Sequence, residues 1–259
     1  MKNNFLYGFA IVLLLGSCDK NTFRVADRTG VEGKALVKIG VFNMTIAARN
    51  VLIYNNGNLV SGPIAAPYPY PGGGLNANGP TATGDYFAVD PGPNKYEMYT
   101  FNPGTSNTIA KVLETTQTLE AGNKYTLYTT DTAANAVYVL APDNGIAPDS
   151  GKATMRFVNL IPDSDAAGGL DFYQGNTLLK AGLKYKEFTD FIDVPATLID
   201  TFSVRLAGSA PGPALTSRAY YRLTNNTNQR IYSFVARGYL SVAGTTDLRR
   251  PSVTGIINQ

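Results

Sequence analysis

The sequence predicts an all-β protein of two tandem β-sandwich domains behind an N-terminal export signal. Three observations carry that expectation. From residue 33 onward the chain is a succession of short apolar, β-branched runs broken by Asn, Gly, Pro and Asp turn residues, and no stretch holds a helical period. The same order of runs occurs twice. Of 259 residues, 44% are apolar and 16% charged, with 26 Gly and 15 Pro, a loop-rich composition with enough apolar residues for two cores.

The elements follow in order. Lys2 is a short basic start, and Phe5 to Leu15 is an apolar run interrupted at Gly8. That length suits a signal peptide and is too short for a bilayer, which takes about 20 apolar residues. The run ends in Leu15-Gly16-Ser17-Cys18, which resembles a bacterial lipobox, and Cys18 is the one cysteine of the chain. The resemblance implies a signal peptide over residues 1–17 and a lipidated Cys18 at the mature N-terminus, its acyl chains contributing about 0.8 kcal/mol per buried methylene. A polar tether is expected over 18–32. The first sandwich is expected over 33–142, a short linker over 143–150 and the second sandwich over 151–259.

In the first copy, strands are predicted over Ala35 to Phe42, Val51 to Tyr54, Tyr86 to Val89, Tyr96 to Phe101, Lys124 to Thr130 and Ala136 to Leu140. Asn55-Asn56-Gly57-Asn58 supplies the positive-φ residues of a tight hairpin. At an offset of 118, Gly33-Lys34-Ala35 matches Gly151-Lys152-Ala153, and Leu52 to Asn58 matches Leu170 to Asn176. Downstream, Asp85 to Val89 parallels Asp190 to Val194, and Tyr125 to Tyr128 parallels Tyr232 to Val235. The second copy runs Val158-Asn159-Leu160-Ile161-Pro162-Asp163-Ser164, Leu170-Asp171-Phe172-Tyr173, Gly182-Leu183-Lys184-Tyr185, Val194-Pro195-Ala196 and Phe202-Ser203-Val204-Arg205. This resembles domain-of-unknown-function family 4397 over most of residues 151–240 and, less closely, 33–140. The resemblance implies two tandem immunoglobulin-like β-sandwich domains in a bacterial lipoprotein and assigns no catalytic residue.

Composition excludes much chemistry. His and Trp are absent and Cys occurs once, so Ser-His-Asp and Cys-His catalysis, His-liganded metal sites and intramolecular disulfides are ruled out. The formal charge is +3, with basic residues scattered and no run longer than Arg249-Arg250, so no nucleic-acid partner is expected.

Four candidate sites remain. From Gly62 to Asp85 the first copy takes 23 steps where the second takes 8 from Gly182 to Asp190, a 15-residue insertion. It holds Ala66-Pro67-Tyr68-Pro69-Tyr70-Pro71, whose extended form would display Tyr68 and Tyr70 as ligand-binding rings for a glycan or an envelope protein, or fold back over a sheet edge. Asp163, Asp165 and Asp171 form a partial acidic match to a calcium loop or a self-capped turn. Asp131-Thr132-Ala133 resembles an O-glycosylation sequon on Thr132, or is a simple turn. Glu187, Asp190 and Asp193 are the acids from which a glycoside hydrolase would have to be built, but strand alternation turns 190 and 193 to opposite faces. The expectation is a non-enzymatic envelope-anchored binding or adhesion-type accessory module, with a structural spacer or complex subunit as the alternative and a hydrolase third. No cofactor is expected. The membrane is met through the N-terminal lipid, at the outer membrane, on its periplasmic face or at the cell surface.

Overall fold

The computed structural model describes residues 30–42, 50–62, 64–65, 69–70, 86–101, 108–132, 135–195, 199–210, 212–221, 231–243, 247 and 249–258. Two units are distinguished, Met1–Glu32 and Gly33–Gln259. Of the first, residues 30–32 are described and lie in a turn. The second holds every strand found among the described residues.

Its first half contains β1 (Ala35–Val41), β2 (Asn50–Asn55), β3 (Asn58–Leu59), β4 (Ile64–Ala65), β5 (Pro69–Tyr70), β6 (Phe87–Val89), β7 (Gly92–Phe101), β8 (Thr108–Leu119), β9 (Lys124–Thr130) and β10 (Val137–Pro142). Its second half contains β11 (Lys152–Leu160), β12 (Leu170–Gln174), β13 (Thr177–Leu183), β14 (Ile192–Pro195), β15 (Ile199–Leu206), β16 (Thr216–Tyr221), β17 (Ile231–Arg237) and β18 (Ser252–Ile257). A 3-10 turn at Pro162–Ala167 follows β11.

Both halves pair their strands in one pattern. In the second, the sheets run β14-β11-β17-β18 and β13-β12-β15-β16, with β11 and β17 parallel. In the first, they run β10-β9-β1 with β6 and β5 on the far edge of β1, and β3-β2-β7-β8, with β1 and β9 parallel. Each lobe is therefore a two-sheet sandwich, the architecture that immunoglobulin-like domains share, with one parallel pair. β4 pairs with Val51 of β2 where the end of β13 pairs with Leu170 of β12, and β5 pairs with Gly40 of β1 where Phe188 bridges Val158 of β11.

Alternation builds the cores. Val37, Ile39 and Val41 of β1 pack with Ile53, Met98 and Leu127, and Met155 and Phe157 of β11 pack with Phe172, Phe202 and Phe234. Phe172 and Phe234 close on Phe157 and on each other, and Phe202 closes on Phe234, with centroids 5.0 to 6.3 Å apart in tilted and edge-on geometry.

The opposite face of each β1- or β11-containing sheet is buried as well. Phe42, Tyr128, Val139 and Ala141 of the first lobe join Val158, Leu160, Val235 and Ile256 of the second in a third apolar cluster. The two sandwiches therefore pack back to back through these sheets, and the remaining two sheets face outward. The stretch 143–150 belongs to this packing: Asp143 and Pro148 are buried, and a Cβ on Gly145 would stand 2.8 Å from Ile231 and 3.1 Å from the Phe191 ring.

Candidate functional site

Strand registers fix which residues correspond between lobes. Val37 pairs with Tyr125 and Met155 with Tyr232, so Lys38 and Arg156 hold one position, on the face turned toward the other lobe. Both are buried, at 0% and 1% exposure. A buried cation is expensive unless paired, and each finds partners across the junction. Lys38 Nζ donates to the carbonyl of Ile257, at the end of β18, and lies 4.6 Å from the Tyr86 ring centroid. Arg156 Nη1 donates to the carbonyl of Pro142, at the end of β10, at 2.8 Å, and its guanidinium lies 4.8 Å from the Phe191 ring. Pro142 and Ile257 are the register equivalents that face Tyr125 and Tyr232, and Tyr86 and Phe191 each precede the strand that pairs with β1 or β11. The two lobes thus exchange one cation-to-carbonyl contact in each direction, as two subunits do across a dyad.

The exchange differs in charge. Arg156 Nη2 forms an ion pair with Asp143 and donates to Tyr128 Oη at 2.9 Å, while Nε donates to Ser233 Oγ at 2.8 Å. Asp143 also accepts from Thr126 Oγ1 at 2.6 Å and from Tyr86 Oη at 2.8 Å. The equivalent of Asp143 is Asn258, which accepts from Ser233 Oγ at 2.8 Å and so completes the network without a second carboxylate. Burial first, then the Asp143 charge, pushes the Tyr86 phenol far above its ordinary range, so it stays protonated and donates. Chemically this is a sealed ion-pair network that fixes the junction.

The outward sheets carry a second, exposed set. Asn55 pairs with Asn58 around an Asn56-Gly57 turn, and Gln174 with Thr177 around Gly175-Asn176, which makes Tyr54 the equivalent of Tyr173 and Leu59 of Leu178. Tyr54 faces Glu97 and Tyr173 faces Ser203 across the next strand, so Glu97 corresponds to Ser203 and Tyr99 to Arg205. In the first lobe Tyr54 and Tyr99 meet edge-on at 5.3 Å, and Lys111 Nζ lies 5.8 Å from the Tyr99 ring. Glu97 takes Lys111 at 2.9 Å, Lys95 at 3.3 Å and Tyr99 Oη at 3.1 Å. The Lys111 bond, foremost, holds the Glu97 carboxyl down to about 2. In the second lobe the Arg205 guanidinium lies 5.3 Å from the Tyr173 ring.

The residues singled out in the sequence fall as follows. Cys18 and Tyr68 lie outside the described residues. The backbone of Tyr70, in β5, pairs with Ile39 of β1, so this part of the insertion lies along a sheet edge. Asp163, Asp165 and Asp171 are not brought together. Asp163 accepts from the Leu240 and Ser241 amides at 2.8 and 2.9 Å, Asp165 from the Tyr185 amide at 2.7 Å, and Asp171 from the Gly182 and Gly208 amides at 2.8 and 2.9 Å. Each carboxylate ties two loops through backbone N–H groups, and among the described residues no cluster of three or more His, Cys, Asp or Glu could hold a metal ion. Thr132 is half-buried in the turn after β9, its carbonyl accepting from the Asn135 amide at 2.8 Å. Glu187 accepts from the Lys184 amide at 2.9 Å and Asp193 from Thr154 Oγ1 at 2.8 Å. Among the described residues no helix is long and apolar enough to cross a membrane.

Lys38, Arg156 and Asp143 drew no attention in the sequence. A charge at the even positions of an apolar strand reads there as solvent-facing, and only the presence of a second copy signals that this face is covered.

No curated protein matches the chain. Among solved structures, a leucine-rich repeat protein from Bacteroides thetaiotaomicron is similar at 14% identity over 73% of this chain and 24% of that one, with a TM-score of 0.20, too low to carry any argument. The chain thus spans about a quarter of that protein's length. A family model matches residues 37–167, from β1 through the Pro162–Ala167 turn. The resemblance read from the sequence is strongest over 151–240, whereas the matched span takes in the first lobe and only the opening strand and turn of the second. With half of its length matched, the chain belongs to the family described as Domain of unknown function (DUF4397).

Proposed function

We propose that the chain is a non-enzymatic, lipid-anchored lipoprotein of the bacterial envelope, a rigid double sandwich that presents recognition surfaces to a glycan or to another envelope protein. One observation carries the reading: the inward sheet of each lobe is spent on lobe-to-lobe packing, with Lys38 and Arg156 sealed inside, which leaves the outward sheets and the loops as the presented surface. Rigid elements position contact residues without an ordering cost at binding. The acids support it too, since the buried Asp143 and Asp171 and the half-buried Asp163 are committed to structural donors rather than aimed into a cleft.

The anchor rests on Cys18 at the end of the apolar run Phe5 to Leu15. A Cys18→Ala chain expressed in its native type of host is expected to lose incorporation of labelled palmitate and to leave the membrane fraction. Retention of label would refute the anchor.

The same rigid coupling favours a second reading, a spacer or subunit of an envelope complex. A glycan array and an envelope-lysate pull-down separate the two, run with the chain from Asp19 onward beside a Tyr68→Ala/Tyr70→Ala double variant. Saturable glycan binding supports the recognition module, and its loss in the double variant places the contact on the insertion. One stoichiometric envelope protein with no glycan signal supports the subunit reading instead.

A further inference from the structure

We infer that the outward sheet of the second sandwich binds an acidic glycan, through a sugar carboxylate held by Arg205 and Ser203. The inference rests on the recognition reading above and names its ligand class. It starts from a difference between two equivalent positions. In the first lobe Glu97 stands where the second has Ser203, and that carboxylate gathers Lys111 at 2.9 Å, Lys95 at 3.3 Å and Tyr99 Oη at 3.1 Å. The second lobe keeps a cation on this face, Arg205, and lacks the acid. Arg205 Nε and Nη1 and Ser203 Oγ are all out of contact with water and none has a hydrogen-bond partner. Asp171, directly across from Arg205, accepts from the Gly182 and Gly208 amides and leaves Arg205 Nε and Nη1 without a partner.

Donors left in that condition are costly, and a guanidinium fork is matched by a planar carboxylate. The Arg205 residue as a whole keeps partial exposure, and its long side chain, turned outward, would bring both nitrogens to a ligand. A sugar, rather than a protein, suits the surroundings. Thr201 and Ser217 are exposed hydroxyl residues, Thr201 two along from Ser203 and Ser217 opposite it, hence on the same face. Hydroxyls donate and accept alike, as polyhydroxylated ligands require. Leu178, at 46% exposure, is the large exposed apolar residue there among the described residues, far short of the apolar core of a protein interface.

The test titrates the whole chain with trigalacturonate, with galactotriose as the neutral control and an Asp/Glu pentapeptide as the acidic non-sugar, following amide shifts and heat. Saturable trigalacturonate binding that weakens with salt, about tenfold or more tighter than galactotriose, is expected. Arg205→Met should abolish it. Ser203→Glu should abolish it too, by installing the acid that Glu97 supplies in the first lobe, and should raise the thermal midpoint, which shows the variant folded. Equal affinity for galactotriose, or full binding by both variants, overturns the site. Tighter binding of the pentapeptide overturns the sugar assignment. Silence with trigalacturonate while the glycan array still reports a ligand overturns this site and leaves the recognition module standing.

Discussion

Lys38 and Arg156 show how one buried position can be solved twice with different side chains. Lys38, a compact ammonium, donates to a carbonyl and lies against an aromatic face, and Arg156 distributes its donors over Asp143, Tyr128, Ser233 and Pro142. Arg156→Ala is expected to cost about 3–5 kcal/mol in urea unfolding, because it strands the Asp143 carboxylate in the junction. An Arg156→Met/Asp143→Leu double variant should recover most of that loss, and a double variant no better than the single one would contradict the ion-pair account. Backbone conformation gives a second contrast. Gly57 has φ 79° with open space around its Cα, so Gly57→Ala should cost only the left-handed backbone penalty, about 1 kcal/mol. Gly238 has φ 101° and a Cβ there would stand 2.3 Å from the Arg250 carbonyl oxygen, so Gly238→Ala should cost several times more by the same measurement. The turn at Asn56-Gly57 was legible in the sequence because only positive-φ residues fit it. The junction charges were not, because burial of the second face of a strand depends on a partner sheet that belongs to the other lobe.

Single elements read well where alternation and turns agree. Lys124–Thr130 is predicted and found with the same bounds. The repeat is also real strand by strand, yet one element is misaligned by a sequence match. The offset of 118 sets Gly57 on Gly175, while the hairpins set Asn56-Gly57 on Gly175-Asn176, an offset of 119 for β2 and β12. One residue exchanges the faces of a strand, so the match would pair core Ile53 with outward Asp171 when its true counterpart is core Phe172. β8 escapes the sequence reading altogether: Ala110, Lys111, Leu113 and Glu114 are helix formers, and only pairing along the length of β7 holds them extended. That pair carries the Lys95, Glu97, Lys111 and Glu114 network. Glu97 is held from 4.5 down to about 2, chiefly by Lys111, so the folded state binds this proton less readily than the unfolded one. Its stabilisation is present above about 4.5 and is lost as pH falls toward about 2. Urea midpoints should fall through that window, and Glu97→Gln should flatten part of the slope. An unchanged slope would remove Glu97 from the acid response.

At the scale of the molecule, duplication explains the architecture better than either lobe alone. Each sandwich has an inward sheet apolar on both faces, a pattern that a solitary antiparallel sandwich avoids. The lobes expressed apart, as residues 33–142 and 152–259, are therefore expected to aggregate or to recombine one to one, which sedimentation of the separate and mixed halves would report. Two soluble monomers that ignore each other would contradict the packing. The expected linker 143–150 is drawn into the same junction, with Asp143 buried at the centre of its charge network. The shared junction predicts that the two sandwiches unfold as one cooperative body, which calorimetry of the whole chain reads out. One transition, with equal calorimetric and van't Hoff enthalpies and a midpoint lowered as a unit by Arg156→Ala, is the predicted result. Two separable transitions, only one of them moved by Arg156→Ala, would contradict it.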